Sequence, residues 1–223
     1  MEEREFETNA IRMQMDRSGN LEHSAPLYLT SSFVFEDAED MRASFAEEKD
    51  RNIYSRYANP NTSELISKVC QMEGAEAGFA FASGMAAVYS TFAALLESGD
   101  HIVSCSSVFG STMSLYQNFF PKWKISTDLF NVNDSAAAIE ALIKPNTKVI
   151  YVESPTNPGV DILDLQMIGD IAAKHGLILI VDNCFASPYL QQPISFGAHL
   201  VVHSATKLID GQGRVLGGIT VGE

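Results

Sequence analysis

Ser204-Ala205-Thr206-Lys207 follows the apolar run Ala198-His199-Leu200-Val201-Val202, and a second apolar run, Leu177-Ile178-Leu179-Ile180-Val181, ends on Asp182. If both runs are parallel strands, an amine, two hydroxyls and a carboxylate meet at one edge of a sheet. A lysine amine beside a cationic ring can form a Schiff base, because the neighbouring charge favours its neutral form. A carboxylate ending an apolar strand either caps the next turn or pairs with a protonated ring nitrogen. Adjacent strands lie about 4.8 Å apart, so the two strand ends can reach opposite sides of one flat molecule. Together these are the groups that pyridoxal phosphate chemistry requires.

Other segments place further groups at the same edge. Ser83-Gly84-Met85-Ala86 sits at a strand-to-helix junction, where unpaired N–H groups form either a plain turn or a phosphate site. Combined with the hydroxyls of Ser204 and Thr206, it makes a phosphate cup. Phe109, after the run ending at Cys105, either packs in the core or lies flat on a pyridine ring, an offset stack worth about 0.5–1.5 kcal/mol. It has no proton to give. Asn157 stands in Glu153-Ser154-Pro155-Thr156-Asn157-Pro158-Gly159, a loop stiffened by two prolines. It can hydrogen-bond the phenolic oxygen of the cofactor or simply form a turn. Tyr54-Ser55-Arg56-Tyr57 reads as a surface loop or as an Arg56 fork on a phosphate with Tyr54 beside it, the phosphate belonging to a neighbouring subunit. His23, His101, His175, His199 and His203 have no metal-ligand spacing, so no metal is expected.

The elements that must position these groups follow an alternating pattern. Residues 1–60 lack sustained periodicity and read as an extended arm with polar turns near 16–20 and 59–61 and a short helix near 37–48. Asn61-Thr62 is the expected cap of a helix running to Glu73. Strands are expected at 78–82, 101–105, 125–129, 148–153, 177–182 and 199–203, with helices at 84–96, 111–120, 134–143 and 164–175. Short apolar strands separated by helices predict an α/β fold with a mostly parallel sheet covered on both faces. Val215–Val221 follows Lys207 too closely for a crossover helix, which predicts one antiparallel strand.

The 223 residues are 46% apolar, enough to bury a real core. A formal net charge of −13 has the wrong sign for attraction to nucleic acid or an anionic membrane. Cys70, Cys105 and Cys184 are too few and too far apart for a zinc motif or a disulfide framework, which points to a reducing compartment. With no secretory pattern in the acidic start and no apolar run of spanning length, the expected location is the cytoplasm.

Tyr54-Ser55-Arg56, Ser83-Gly84-Met85, Glu153-Ser154-Pro155-Thr156-Asn157-Pro158, Asp182-Asn183 and Ser204-Ala205-Thr206-Lys207, in that order, resemble the motifs of the Cys/Met-metabolism family of pyridoxal-phosphate enzymes. The resemblance covers essentially the whole chain and implies the aspartate-aminotransferase type of fold. By that resemblance Lys207 links covalently to the cofactor and is the catalytic base. Asp182 holds the pyridine nitrogen, Gly84, Met85, Ser204 and Thr206 hold the phosphate, and Tyr54 and Arg56 reach the partner subunit's phosphate. It further implies a homo-oligomer, a dimer at least and a tetramer by analogy. Most relatives have tyrosine where this chain has Phe109, so more of the proton traffic falls on Lys207. The expected activity is γ-replacement, in which sulfide and O-succinylhomoserine or O-acetylhomoserine give homocysteine. The alternatives are cystathionine synthesis, methionine or cystathionine γ-lysis, and a catalytically incompetent fragment. Residues 1–60 are expected to be an N-terminal arm and 61–223 an incomplete cofactor-binding domain, because family members continue into a smaller C-terminal domain carrying an arginine for the substrate carboxylate.

Overall fold

The computed structural model describes residues 5–13 and 17–223. The acidic start over residues 1–4, and Asp16 at the head of the expected 16–20 turn, lie outside them. The chain divides into two compact units, one ending at Lys68 and the other spanning Val69–Glu223.

In the first unit, part of the expected extended arm is helical. Helix α1, Phe6–Arg12, carries Glu7 in its first turn and Arg12 in its last, charges that complement the helix dipole. None of its residues is buried, so no apolar stripe announces it. Helix α2, Ala38–Phe45, lies within the expected 37–48 span and is capped by Asp37, whose side chain accepts the Asp40 N–H. The buried Asp40 carboxylate is held by Lys49 and Arg51. Ser31–Phe33 pairs antiparallel with Ile53–Ser55 through a Ser32–Tyr54 bridge, which sets the backbone of the Tyr54 segment.

Helix α3, Pro60–Glu73, contains the boundary between the units. Its cap is Asn59 rather than the expected Asn61-Thr62. The Asn59 carbonyl accepts the Ser63 N–H at 2.9 Å, and Pro60 takes the first helical position, where its missing N–H costs nothing. Asn61 is diverted to accept from Tyr28 N at 2.8 Å and to donate to Pro26 O at 2.7 Å.

The second unit runs β1 (Ala77–Phe81), α4 (Gly84–Leu95), β2 (His101–Cys105), α5 (Gly110–Ser114), β3 (Ser126–Phe130), α6 (Ala136–Glu140), β4 (Thr147–Glu153), α7 (Leu165–His175), β5 (Ile178–Asp182), α8 (Ser187–Leu190), β6 (Leu200–His203) and β7 (Gly218–Gly222). The seven strands form one sheet in the order β1-β7-β6-β5-β4-β2-β3. Strands β2 to β6 pair in parallel, and β7 lies antiparallel to both β6 and β1, as the short connection after Lys207 predicts. The architecture is that of fold-type I pyridoxal-phosphate enzymes.

Local departures from expectation have local causes. The helix expected over 111–120 stops at Ser114 and continues as a π turn over Leu115–Phe119 and a 3-10 turn over Phe120–Trp123. Pro121 has no N–H to extend the ladder, and Lys124 closes it in the left-handed region at φ 61°. Helix α8 and the 3-10 turn Pro193–Phe196 span four residues each, too short for apolar periodicity to reveal them. Strand β7 begins at Gly218 rather than Val215, because Gly217 N is turned aside to Thr206 Oγ1 at 3.0 Å.

Alternation decides which face each strand residue covers. Ile102 of β2, Val149 and Tyr151 of β4, Ile180 of β5 and Val202 of β6 join Ala87, Val88 and Phe92 of α4 in one core. Each Val, Ile or Phe side chain among them, fully buried, contributes about 1.5–3 kcal/mol. On the opposite face Leu179 and Val181 are buried, and α7 packs against β5.

Candidate active site

The same alternation aims two carboxylates. In β4, Val149 and Tyr151 face α4 and Glu153 follows them two residues on. In β5, Ile178 and Ile180 do so and Asp182 follows. Glu153 and Asp182 are register partners, so both acids stand side by side at the carboxyl edge on the α4 face. Both are buried.

A cavity of about 310 Å³ opens above them. It brings together Ser83, Gly84 and Met85 from the β1–α4 turn, Phe109 after β2, Asn157 after β4, Asp182 at the end of β5, and Ser204, Thr206 and Lys207 after β6. Tyr54 and Arg56 are not among its lining residues. They belong to the first unit, where the Arg56 guanidinium lies 4.4 Å from the Tyr57 ring centroid and donates to Tyr57 Oη at 3.2 Å. A concavity of about 420 Å³ within the first unit, walled by Glu22, Tyr28, Arg51 and Asn61, has no lysine in its lining.

The end of the cavity at the β1–α4 turn is built by close backbone approach. Ser83 caps α4, its Oγ accepting Ala86 N and its carbonyl accepting Ala87 N, both at 3.1 Å. The N–H groups of Gly84 and Met85 therefore precede the first ladder bond and remain for an anion. A Cβ on Gly84 would stand 2.5 Å from Ser204 Cβ, and one on Gly218 only 2.0 Å from Ser83 O. Glycine at both places lets the α4 turn, the loop after β6 and the start of β7 close into one cradle. Ser204 Oγ makes no hydrogen bond among the described residues. The Thr206 hydroxyl accepts from Gly217 N at 3.0 Å and donates to Gly217 O at 3.3 Å, so it also fixes the loop wall.

Asp182 supplies the opposite end. Its Oδ1 accepts from Cys184 N at 3.1 Å and its Oδ2 from Tyr151 Oη at 3.2 Å. Burial pushes its carboxyl above the usual range, against the opposing pull of those donors and of His203. No Lys, Arg or His forms an ion pair with it among the described residues. A buried carboxylate aimed into a cavity without its own cation fits a protonated ring nitrogen. With Lys207 Nζ for an aldehyde and the Gly84–Ser204 cradle for a phosphate, the donor set fits pyridoxal 5′-phosphate from end to end.

Two contributors carried no sequence-based assignment. Glu153 lines the cavity and accepts the Phe109 N–H at 2.6 Å, and burial with the Asp182 charge pushes its carboxyl up to about 8. The signal was present: like Asp182, it is an acid closing an apolar strand. Tyr151 donates to Asp182 from inside a strand, where nothing in the sequence separates it from a core aromatic.

Sheet and cavity define the class: a pyridoxal-phosphate-binding domain of fold type I. Residues 7–223 match the family of Cys/Met metabolism PLP-dependent enzymes, and the chain belongs to it. Pyridoxal 5′-phosphate is the cofactor of this family. The chain is 46% identical over 217 residues to the O-succinylhomoserine sulfhydrylase of Pseudomonas aeruginosa, covering 97% of this chain and 54% of that protein. It is 38% identical over 201 residues to an L-methionine gamma-lyase of Porphyromonas gingivalis, covering 90% and 50%. A crystal structure described as an O-acetylhomoserine (thiol)-lyase of Campylobacter jejuni, solved with N′-pyridoxyl-lysine-5′-monophosphate, superposes with TM-score 0.94 at 33% identity, over 99% of this chain and 54% of that one. The chain thus spans about half the length of the relatives it matches. No helix of the described residues is long and apolar enough to cross a membrane.

Proposed function

We propose that the protein serves a pyridoxal-phosphate-dependent γ-replacement in which sulfide displaces the acyloxy group of O-succinylhomoserine, giving homocysteine and succinate. The observation that carries this reading is the single cavity joining Lys207, Asp182 and the Gly84–Ser204 cradle. Likeness to O-succinylhomoserine sulfhydrylases supports the choice of acyl group.

The cofactor, when bound, supplies an electron sink for charge developing at the substrate Cα. Lys207 Nζ anchors it and, once released by the incoming amino group, moves the protons at Cα and Cβ that precede loss of the Cγ substituent. Asp182 holds the ring nitrogen in its protonated state, and its pairing with Tyr151 and Cys184 N fixes the carboxylate in place. Gly84 N, Met85 N and Ser204 Oγ hold the phosphate, with Thr206 stiffening the wall behind them. Phe109 stacks on the ring, and Asn157 takes its phenolic oxygen. Tyr54 and Arg56 complete the phosphate site of a partner subunit in a dimer or tetramer, which the Arg56 guanidinium suits because no carboxylate pairs with it among the described residues. The proposed location is the cytoplasm.

Two measurements test this. Borohydride reduction of the cofactor-loaded protein should fix pyridoxyl phosphate on the peptide containing Lys207, read by mass spectrometry; fixation elsewhere overturns the assignment. Product analysis with O-succinylhomoserine and sulfide should show homocysteine. If 2-oxobutanoate and ammonia form instead, with sulfide present, the γ-lyase reading replaces this one.

A further inference from the structure

Glu153 stands in the cavity beside Asp182 yet holds none of the cofactor contacts assigned to the other residues. We propose that Glu153 is a positioning residue for the cofactor, fixing where the Phe109 ring stands in the cavity by accepting the Phe109 N–H. The inference rests on the cofactor reading under Proposed function.

The geometry requires such a hold. Phe109 is the N-cap residue of α5, a helix of five residues, and makes no side-chain cap bond. Its carbonyl accepts from Met113 N at 3.1 Å, which ties down its C-terminal side. The residue is 42% exposed, so packing on its own does not fix it. The Phe109 N–H is satisfied by Glu153 Oε2 at 2.6 Å, at the short end for an N–H···O bond. Glu153 itself has no freedom to follow a moving loop, being 2% exposed at the end of β4 and locked in register against Asp182. A rigid strand end thereby dictates the place of a ring on a loop.

Electrostatics explain why this anchor can be an acid beside Asp182. Around it stand Asp182 on β5, Tyr151 on its own strand and Tyr116 on the turn after α5, with Cys184 and Lys207 also on the cavity wall. Burial and the Asp182 charge keep a proton on Glu153 at neutral pH. Asp182, which receives the Tyr151 hydroxyl and the Cys184 N–H, is the acid placed to meet a cationic ring, and Glu153 offers Oε2 as an acceptor to Phe109 N. A purely structural anchor would hold the loop without affecting the cofactor, and the two roles separate by experiment.

Wild type, Glu153→Gln, Glu153→Met, Phe109→Ala and the Glu153→Met/Phe109→Ala double variant are loaded with pyridoxal 5′-phosphate. Cofactor dissociation constants and visible circular dichroism of the bound cofactor are measured, with far-UV spectra reporting the fold. Glutamine keeps an acceptor oxygen, so its affinity should stay within about threefold of wild type, with the dichroic band retained. Methionine keeps the volume and removes the acceptor, so affinity should fall about tenfold and the band should shrink to the Phe109→Ala level. The double variant should bind no more weakly than Phe109→Ala. Additive losses, or wild-type dichroism in Glu153→Met, overturn the positioning role. Hydrogen exchange at the Phe109 amide of the loaded wild type gives a check that needs no variant: protection supports the proposal, and rapid exchange overturns it. If wild type takes up no cofactor, the underlying cofactor reading falls and this inference with it.

Discussion

Replacing Glu153 by glutamine should remove a pH dependence from the stability of the cofactor-free protein. The folded carboxyl is pushed up to about 8, from 4.5 when exposed. For an acid whose folded pKa is raised, the neutral form stabilises the fold fully below the unfolded pKa, and that contribution is lost as pH rises through the folded one. The window is therefore pH 4.5 to about 8. At about 1.4 kcal/mol for each decade of proton affinity, the ceiling on the loss is about 5 kcal/mol. Relaxation and water entry around a newly buried charge lower such figures, so a measured loss of about 2–4 kcal/mol is expected. Asp182 is displaced in the same direction, which means wild type alone cannot apportion the slope. The difference between wild type and Glu153→Gln does, because the glutamine amide keeps an acceptor for Phe109 N and cannot ionise. Urea unfolding at intervals from pH 5 to 9, followed by fluorescence of Trp123, the single tryptophan, reports on the second unit through its packing against Tyr89 and Phe120. Wild type should lose stability relative to the variant as pH rises. Parallel curves across the window would show that Glu153 is not held neutral in the folded protein.

Three further outcomes follow from the cradle and from the groups behind Asp182. Gly218→Ala sets a Cβ 2.0 Å from Ser83 O, a backbone atom, so it should lower stability by about 2 kcal/mol or more and weaken cofactor binding together; an unchanged thermal midpoint contradicts the close approach. Ser83→Ala removes the bond to Ala86 N and should cost about 1 kcal/mol in urea unfolding. Tyr151→Phe takes a donor from Asp182, which should raise its carboxyl further and weaken cofactor affinity about threefold to tenfold; titration by absorbance checks this.

The sequence made the sheet legible because its signals were strong and local. Apolar runs such as Leu177–Val181 and Leu200–Val202 fix strands, and an acid or a hydroxyl at the end of a run marks the edge that carries chemistry. Strand order was not accessible, since β1 and β6 are joined through β7, the last strand in the chain. The real cap of α3 was missed because Asn59 and Asn61 are equally good caps in isolation, and Pro60 with the Tyr28 and Pro26 partners decides between them. Helix α1, with no buried face, leaves no periodic trace. In the site, Asp182 and Lys207 stood out by type, whereas Glu153 was hidden inside a loop motif that invites attention to Asn157.

Sheet topology explains why the Glu153–Phe109 bond falls where it does. From β2 the chain moves outward to β3 and then returns to the other side of β2 to form β4. The connection after β2 stays on the α4 face, where Leu115, Tyr116 and Phe120 join the core around Phe92, while that after β4 leads to α7, packed against β5. The loops leaving β2 and β4 thus diverge to opposite faces, and divergence of this kind opens a crevice at the carboxyl edge of a parallel sheet. Phe109 belongs to the first of these loops and Asn157 to the second. A crevice opened by divergence has no intrinsic width, because nothing in either strand ladder extends across it. The 2.6 Å bond from Phe109 N to Glu153 supplies one, tying the loop after β2 to the last residue of β4. Divergence of the connections creates room for a cofactor, and a buried acid at the end of the neighbouring strand holds one wall of that room, the Phe109 backbone, in place.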